Sequence, residues 1–189
     1  VVNNLPTAQI TVTTGTTTFC SGDSVILTAN SGTGYSYQWL KDGVNILNAT
    51  GISYTATANG SYTVKVTNAG GCTAVSSAVV VTVNSLPTAS ITATGSTSFC
   101  SGGNVVLNAN VGTGLSYQWQ LNGSNISGAI SANYTATAQG VYRVKITSAS
   151  NSCSAYSNAI SVSVLSNSST SQTVSSCKNY SWNGITYST

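Results

Sequence analysis

FCSGDSVILTAN, residues 19–30, returns as FCSGGNVVLNAN at residues 99–110. The echo is not isolated. LPTAQIT (5–11) answers LPTASIT (86–92), GTGYSYQWLKDG (32–43) answers GTGLSYQWQLNG (112–123), and YTATANGSYTVKVT (54–67) answers YTATAQGVYRVKIT (134–147). Self-similarity at a fixed period means that one structural unit is built twice. The offset is 80 through most of the repeat and 81 at its flanks. This predicts two tandem modules, 5–84 and 86–165, with 1–4 as the end of a linker or preceding module. Residues 166–189 match neither opening. There SWNGITYS places Asn183-Gly184 between alternating aromatics, a two-residue hairpin signal. These residues read as the start of a third, different β module that is cut off.

Within each copy the apolar period is two. Val25, Leu27 and Ala29 alternate with Ile26 and Thr28. Tyr35, Tyr37 and Trp39 share one face, Tyr62, Val64 and Val66 another, and Val79, Val81 and Val83 a third. Gly, Asn and Ser clusters break the runs every 8–12 residues, the pattern of an antiparallel β-sandwich. No helical stripe is present. Trp39 falls on the third run, where an immunoglobulin-like sandwich buries a Trp, and Tyr62 stands two residues before Val64, the spacing of that fold's tyrosine corner. Trp119 and Tyr142 repeat both features. By the same ruler Ala29 with Val64, and Ala109 with Val144, hold the sites of the usual inter-sheet cysteines. The predicted fold class is all-β: tandem immunoglobulin-like antiparallel sandwiches plus a truncated hairpin segment.

The cysteines lie outside those core sites. Cys20 precedes one run and Cys72 follows another, and crossing strands could bring those ends to one pole. The expected pairs are Cys20–Cys72 and Cys100–Cys153, each closing roughly 50 residues and worth roughly 4 kcal/mol in the chain-entropy account. Pairing Cys20 with Cys100 would break the repeat symmetry that gives each module its own pair. Two thiolates per module without histidine make a poor zinc site. Cys177 is the odd cysteine, and its partner is expected beyond Thr189. Staples of this kind need an oxidising compartment, so an exported protein is expected.

Chemistry is scarce. Only 4% of the 189 residues are charged, against about 25% in a typical soluble domain. Histidine is absent, and Asp23 and Asp42 are the only carboxylates; module 2 has Gly103 and Asn122 in their places. A Ser-His-Asp or Cys-His arrangement is therefore impossible in this chain. Calcium sites want several carboxylates, which are missing. Lys41, Lys65, Arg143, Lys145 and Lys178 are scattered, so no phosphate-binding patch forms and no nucleic-acid partner is expected. The longest apolar run, around Ala78–Val83, suits a buried strand, and no membrane insertion is expected. No enzyme activity, cofactor or metal is predicted. Tyr37, Trp39, Tyr117 and Trp119 read as core. Tyr54, Tyr134 and Tyr156 read as interstrand packing, with outward stacking on sugars as the rival. Val1 opens the chain without Met, which fits a removed signal or a piece of something longer. The Asn-x-Ser/Thr triplets, at Asn48, Asn59 and Asn133 among others, are what so Asn-, Ser- and Thr-rich a chain makes by chance.

The phrase set FCSG, YQW, Y.A, G.Y.V.V and LP.A.I resembles the immunoglobulin-like repeats of very large surface and secreted proteins of the Bacteroidetes, and C.NYSWNG..Y resembles another repeat type of the same proteins. The resemblance covers nearly the whole chain. It implies a cell-surface location associated with the outer membrane, export by the type IX secretion machinery, and neighbouring repeats of the same polypeptide as partners. It also implies a structural spacer role in a large adhesin, with gliding motility as the most specific version. The alternative is a carbohydrate-binding immunoglobulin-like module beside a secreted enzyme, with surface polysaccharide as partner. Asp23-Ser24-Val25 resembles that phylum's O-glycosylation triplet, which makes Ser24 the candidate modified residue. A short joint, NSLPT, with Pro87 fixing φ, predicts modules stacked end to end at roughly 33 Å each.

Overall fold

The computed structural model describes residues 4–166 and 179–188. Module 1 contains β1 (Ile10–Thr14), β2 (Thr18–Cys20), β3 (Val25–Ala29), β4 (Ser36–Lys41), β5 (Val44–Asn45), β6 (Ser53–Ala56), β7 (Gly60–Thr67), β8 (Thr73–Val75) and β9 (Val79–Asn84). Module 2 repeats the order with β10 (Ile91–Thr94), β11 (Ser98–Cys100), β12 (Val105–Ala109), β13 (Leu115–Leu121), β14 (Ser124–Asn125), β15 (Asn133–Ala136), β16 (Gly140–Ser148), β17 (Ser154–Tyr156) and β18 (Ile160–Leu165). In each module a three-stranded sheet, β1-β3-β6 or β10-β12-β15, faces a larger one, β2-β9-β7-β4-β5 or β11-β18-β16-β13-β14, with β8 or β17 added beside β7 or β16. The chain is all-β, with two sandwich-like domains.

Period-two alternation puts one set of side chains between the sheets. Val25, Leu27, Trp39, Tyr62, Val64 and Val66 are sealed in module 1, and Val105, Leu107, Trp119, Tyr142, Val144 and Ile146 in module 2. The Trp39 indole N–H donates to the Gly51 carbonyl at 2.9 Å, and Trp119 donates to Ser131 likewise. The Tyr62 hydroxyl donates to the Ala58 carbonyl four residues upstream, and Tyr142 donates to Ala138, both at 2.9 Å. Ala29 and Val64 are buried in the first core, and Ala109 and Val144 in the second.

Burial raises the Tyr62 hydroxyl above its ordinary pKa, and the neighbouring Tyr54 adds to this. Tyr142 is raised by burial and by Tyr134 in the same way. Tyr54 sits 5.9 Å from the Trp39 ring and 5.7 Å from Tyr62, and Tyr134 bridges Trp119 and Tyr142 similarly. Both are therefore interstrand packing residues. Tyr156 is half-exposed, with the Arg143 guanidinium 4.2 Å from its ring centre.

A separate hairpin, β19 (Asn179–Trp182) and β20 (Ile185–Ser188), turns on Asn183 and Gly184. Both have positive φ, 49° and 77°, as a two-residue hairpin turn requires. Its second strand is four residues long.

Candidate functional site: the joint between the sandwiches

β7 runs antiparallel to β9, with Gly60 opposite Val81 and Tyr62 opposite Val79. β2 runs parallel to β9, with Cys20 beside Asn84. Cys20 therefore stands at the C-terminal pole of module 1, where the chain leaves for module 2, and the Ser21 amide donates to the Asn84 carbonyl there. Cys72 lies in the turn between β7 and β8, past the far end of β7, at the opposite pole. The two are separated by about ten residues of strand rise, roughly 33 Å. A Cys20–Cys72 bond cannot form. The same directions apply to Cys100, beside Leu165, and Cys153, in the turn between β16 and β17.

The structure bonds Cys20 to Cys153, Cα to Cα 5.6 Å, across a sequence separation of 133. This replaces both expected pairs, Cys20–Cys72 and Cys100–Cys153. The expectation placed the start of β3 and the end of β7 at one pole. Those strands point the same way, because β6 is antiparallel to β3 and the chain reverses once more into β7. Repeat symmetry is still satisfied: a strand-end cysteine of one module reaches a turn cysteine of the next. Cys153 is fully buried in this joint, and Cys100 carries an exposed thiol. Cys72 is half-buried. Cys177 lies outside the described residues.

A second clasp accompanies the bond. The Asn151 side-chain amide donates to the Ser85 carbonyl at 3.2 Å, while its oxygen accepts the Cys153 N–H at 3.0 Å. One side chain thus holds both the linker and the turn that carries the cysteine. Asn68 does the same in module 1, donating to the Asn4 carbonyl and accepting the Cys72 N–H. Asn110 adds a bond to the Thr88 carbonyl and accepts the Ser90 N–H, as Asn30 does with Thr7 and Gln9. Sequence inspection passed over these asparagines because the two turns, NAGGC and SASNSC, differ in length and the clasping residue shifts within them. A cleft of about 420 Å³ opens beside the joint, lined by Leu86, Pro87, Val111, Leu115, Ser148 and Asn151 among others. None of its lining groups is charged.

The Asp42 carboxylate serves the backbone. Asp42, at φ 52°, and Gly43 form the β4–β5 hairpin turn, and the Asp42 carboxylate accepts the Ser61 N–H at 2.8 Å. In module 2 the Asn122 amide oxygen accepts the Val141 N–H at 2.9 Å in the same turn. An amide replaces the acid without change of geometry. Asp23 is exposed, and its N–H donates to the Cys20 carbonyl, as Gly103 does to Cys100. Among the described residues no group of three or more His, Cys, Asp or Glu could hold a metal ion, and no helix is long and apolar enough to cross a membrane.

Fold and joint together define a tandem immunoglobulin-like module protein. Residues 6–85 match the family described as "Ig-like domain CHU_C associated", and residues 89–166 match a "Domain of unknown function (DUF8696)". No curated protein matches the chain. Among solved structures it is similar to three N-terminal domains of the highly immunogenic outer capsid protein of bacteriophage RB49, at 22% identity and TM-score 0.41, covering 84% of this chain and 59% of that one. It is also similar to the fibronectin(III)-like modules of Clostridium thermocellum CbhA, at 12% identity and TM-score 0.43, covering 83% and 93%. The titin I-band fragment I67-I69 follows at 14% and 0.36, covering 79% and 62%. The chain thus spans about three fifths of that three-domain phage fragment. The family match over residues 6–85 supports a structural immunoglobulin-like repeat module. The disulfide and the family match point to an extracellular protein.

Proposed function

We propose that these modules are spacer units in the stalk of a large exported cell-surface adhesin, with residues 166–189 opening a third module. What supports this reading above all is the joint: a covalent cross-link and an asparagine clasp fix one sandwich on the next. A rod of fixed joints projects whatever it carries farther than a flexible chain of equal length. The sparse charge and the structural duty of the Asp42 carboxylate leave little for catalysis. Gliding adhesion and type IX export rest on the sequence resemblance. Ser24, exposed just before β3, is accessible for the O-glycosylation proposed there. A glycan array with the 189-residue protein tests the reading. The expected result is no reproducible binding, and micromolar binding to a defined polysaccharide would replace it with the carbohydrate-binding alternative.

A further inference from the structure

We infer that the Cys20–Cys153 bond removes most of both sandwiches from the load path when the chain is pulled from its ends. The inference deepens the spacer reading, and its biological use rests on that reading. Tension entering at Asn4 follows the backbone through β1 and β2 to Cys20. Two covalent routes then lead to Cys153. One is the sulfur bridge, 5.6 Å between Cα atoms; the other is the backbone, 133 positions long. The short route becomes taut first and carries the force. Beyond Cys153 the load continues through β17 and β18.

The bypassed loop, residues 21–152, holds β3 to β16. It includes Trp39, Tyr62, Trp119 and Tyr142, the largest fully buried side chains. Strands on the path are β1, an edge of its sheet, β2, also an edge, β17, held by β16 alone, β18, and the separate β19–β20 hairpin. Force can peel these strands but cannot draw out the loop between the cysteines. Bridges within each module would have left the linker and both modules in series. The bridge between modules makes one mechanical unit of two. It is also a redox-sensitive length switch, since reduction returns the hidden loop to the path.

The difference in extensible length is roughly 450 Å, at about 3.3–3.6 Å per residue over the bypassed positions. Single-molecule force spectroscopy on the 189-residue protein, held by handles at both ends, reads this directly. Non-reduced molecules should show no increment of a whole module. Molecules reduced with a phosphine and alkylated should show two, of about 250 Å each. Cys20→Ser without reductant should reproduce the reduced pattern. Whole-module increments from molecules whose mass shows the bond intact would overturn the inference, as would identical total extension before and after reduction. A glycan ligand on the array would remove the spacer reading and leave these increments unchanged.

Discussion

Cys20 and Cys153 lie 5.6 Å apart at Cα although 133 positions separate them. The contact joins the end of β2 in one sandwich to the β16–β17 turn of the other. It converts a linker from Ser85 to Thr88, which Pro87 alone would only stiffen, into a closed joint.

A non-reducing proteolytic digest should yield a peptide pair linking Cys20 to Cys153. Cys100, the exposed thiol at the corresponding strand end of module 2, should react with a maleimide before reduction. Cys20 and Cys153 should react only afterwards. Recovery of a Cys20–Cys72 or Cys100–Cys153 peptide would contradict the strand directions described above.

Cys20→Ser and Asn151→Ala should loosen the joint without unfolding either core, because neither side chain lies between the sheets. Near-ultraviolet circular dichroism from Trp39 and Trp119 should be retained. Small-angle scattering should show a broader distance distribution for Cys20→Ser, a smaller broadening for Asn151→Ala, and the largest for the double variant. A collapse of the aromatic signal would show that the cores depend on the joint.

Asp42→Asn should change stability by less than about 0.5 kcal/mol, because Asn122 fills the same role in module 2. Asp42→Ala leaves the Ser61 N–H without its acceptor and puts alanine at positive φ, so a loss of about 1–2 kcal/mol is expected. The Lys41–Asp42 ion pair, 3.7 Å and exposed, contributes little to either result. Urea unfolding of the three proteins separates the outcomes, and a large loss in Asp42→Asn would mean that the charge matters.

Tyr62 and Tyr142 have hydroxyls raised above the ordinary tyrosine value of about 10. Their protonated forms stabilise the fold fully below that value. The contribution is lost as pH rises through the higher folded value, because the unfolded chain ionises first. The melting temperature should therefore fall steeply above about pH 10. Tyr62→Phe and Tyr142→Phe each lose one hydroxyl-to-carbonyl bond, about 1 kcal/mol at neutral pH. In exchange they should show a shallower alkaline decline. An unchanged alkaline limb in the double variant would assign the decline to other groups.

Much of this architecture is legible in the residue pattern. Val25, Leu27 and Ala29 point inward because strand side chains alternate, a purely local rule. Asn183-Gly184 turns because both residues accept positive φ. Tyr62 and Trp39 declare the sandwich type by their spacing. The joint was hidden for a different reason. Cys20 and Cys72 look like partners when each repeat is read alone, and nothing local states which pole a strand end occupies.

The residues alone dictate that one sandwich is built twice and which faces are buried. Which cysteines meet is a matter of the folded chain. A pole is assigned by strand direction, and direction is fixed by pairings such as Gly60 with Val81 and Cys20 with Asn84. Those pairings span tens of residues and leave no trace in a two-residue period. The partner of Cys20 was settled by how one module sits on the next, and the Asn151 side chain, holding Ser85 and Cys153 together, helps to keep it there.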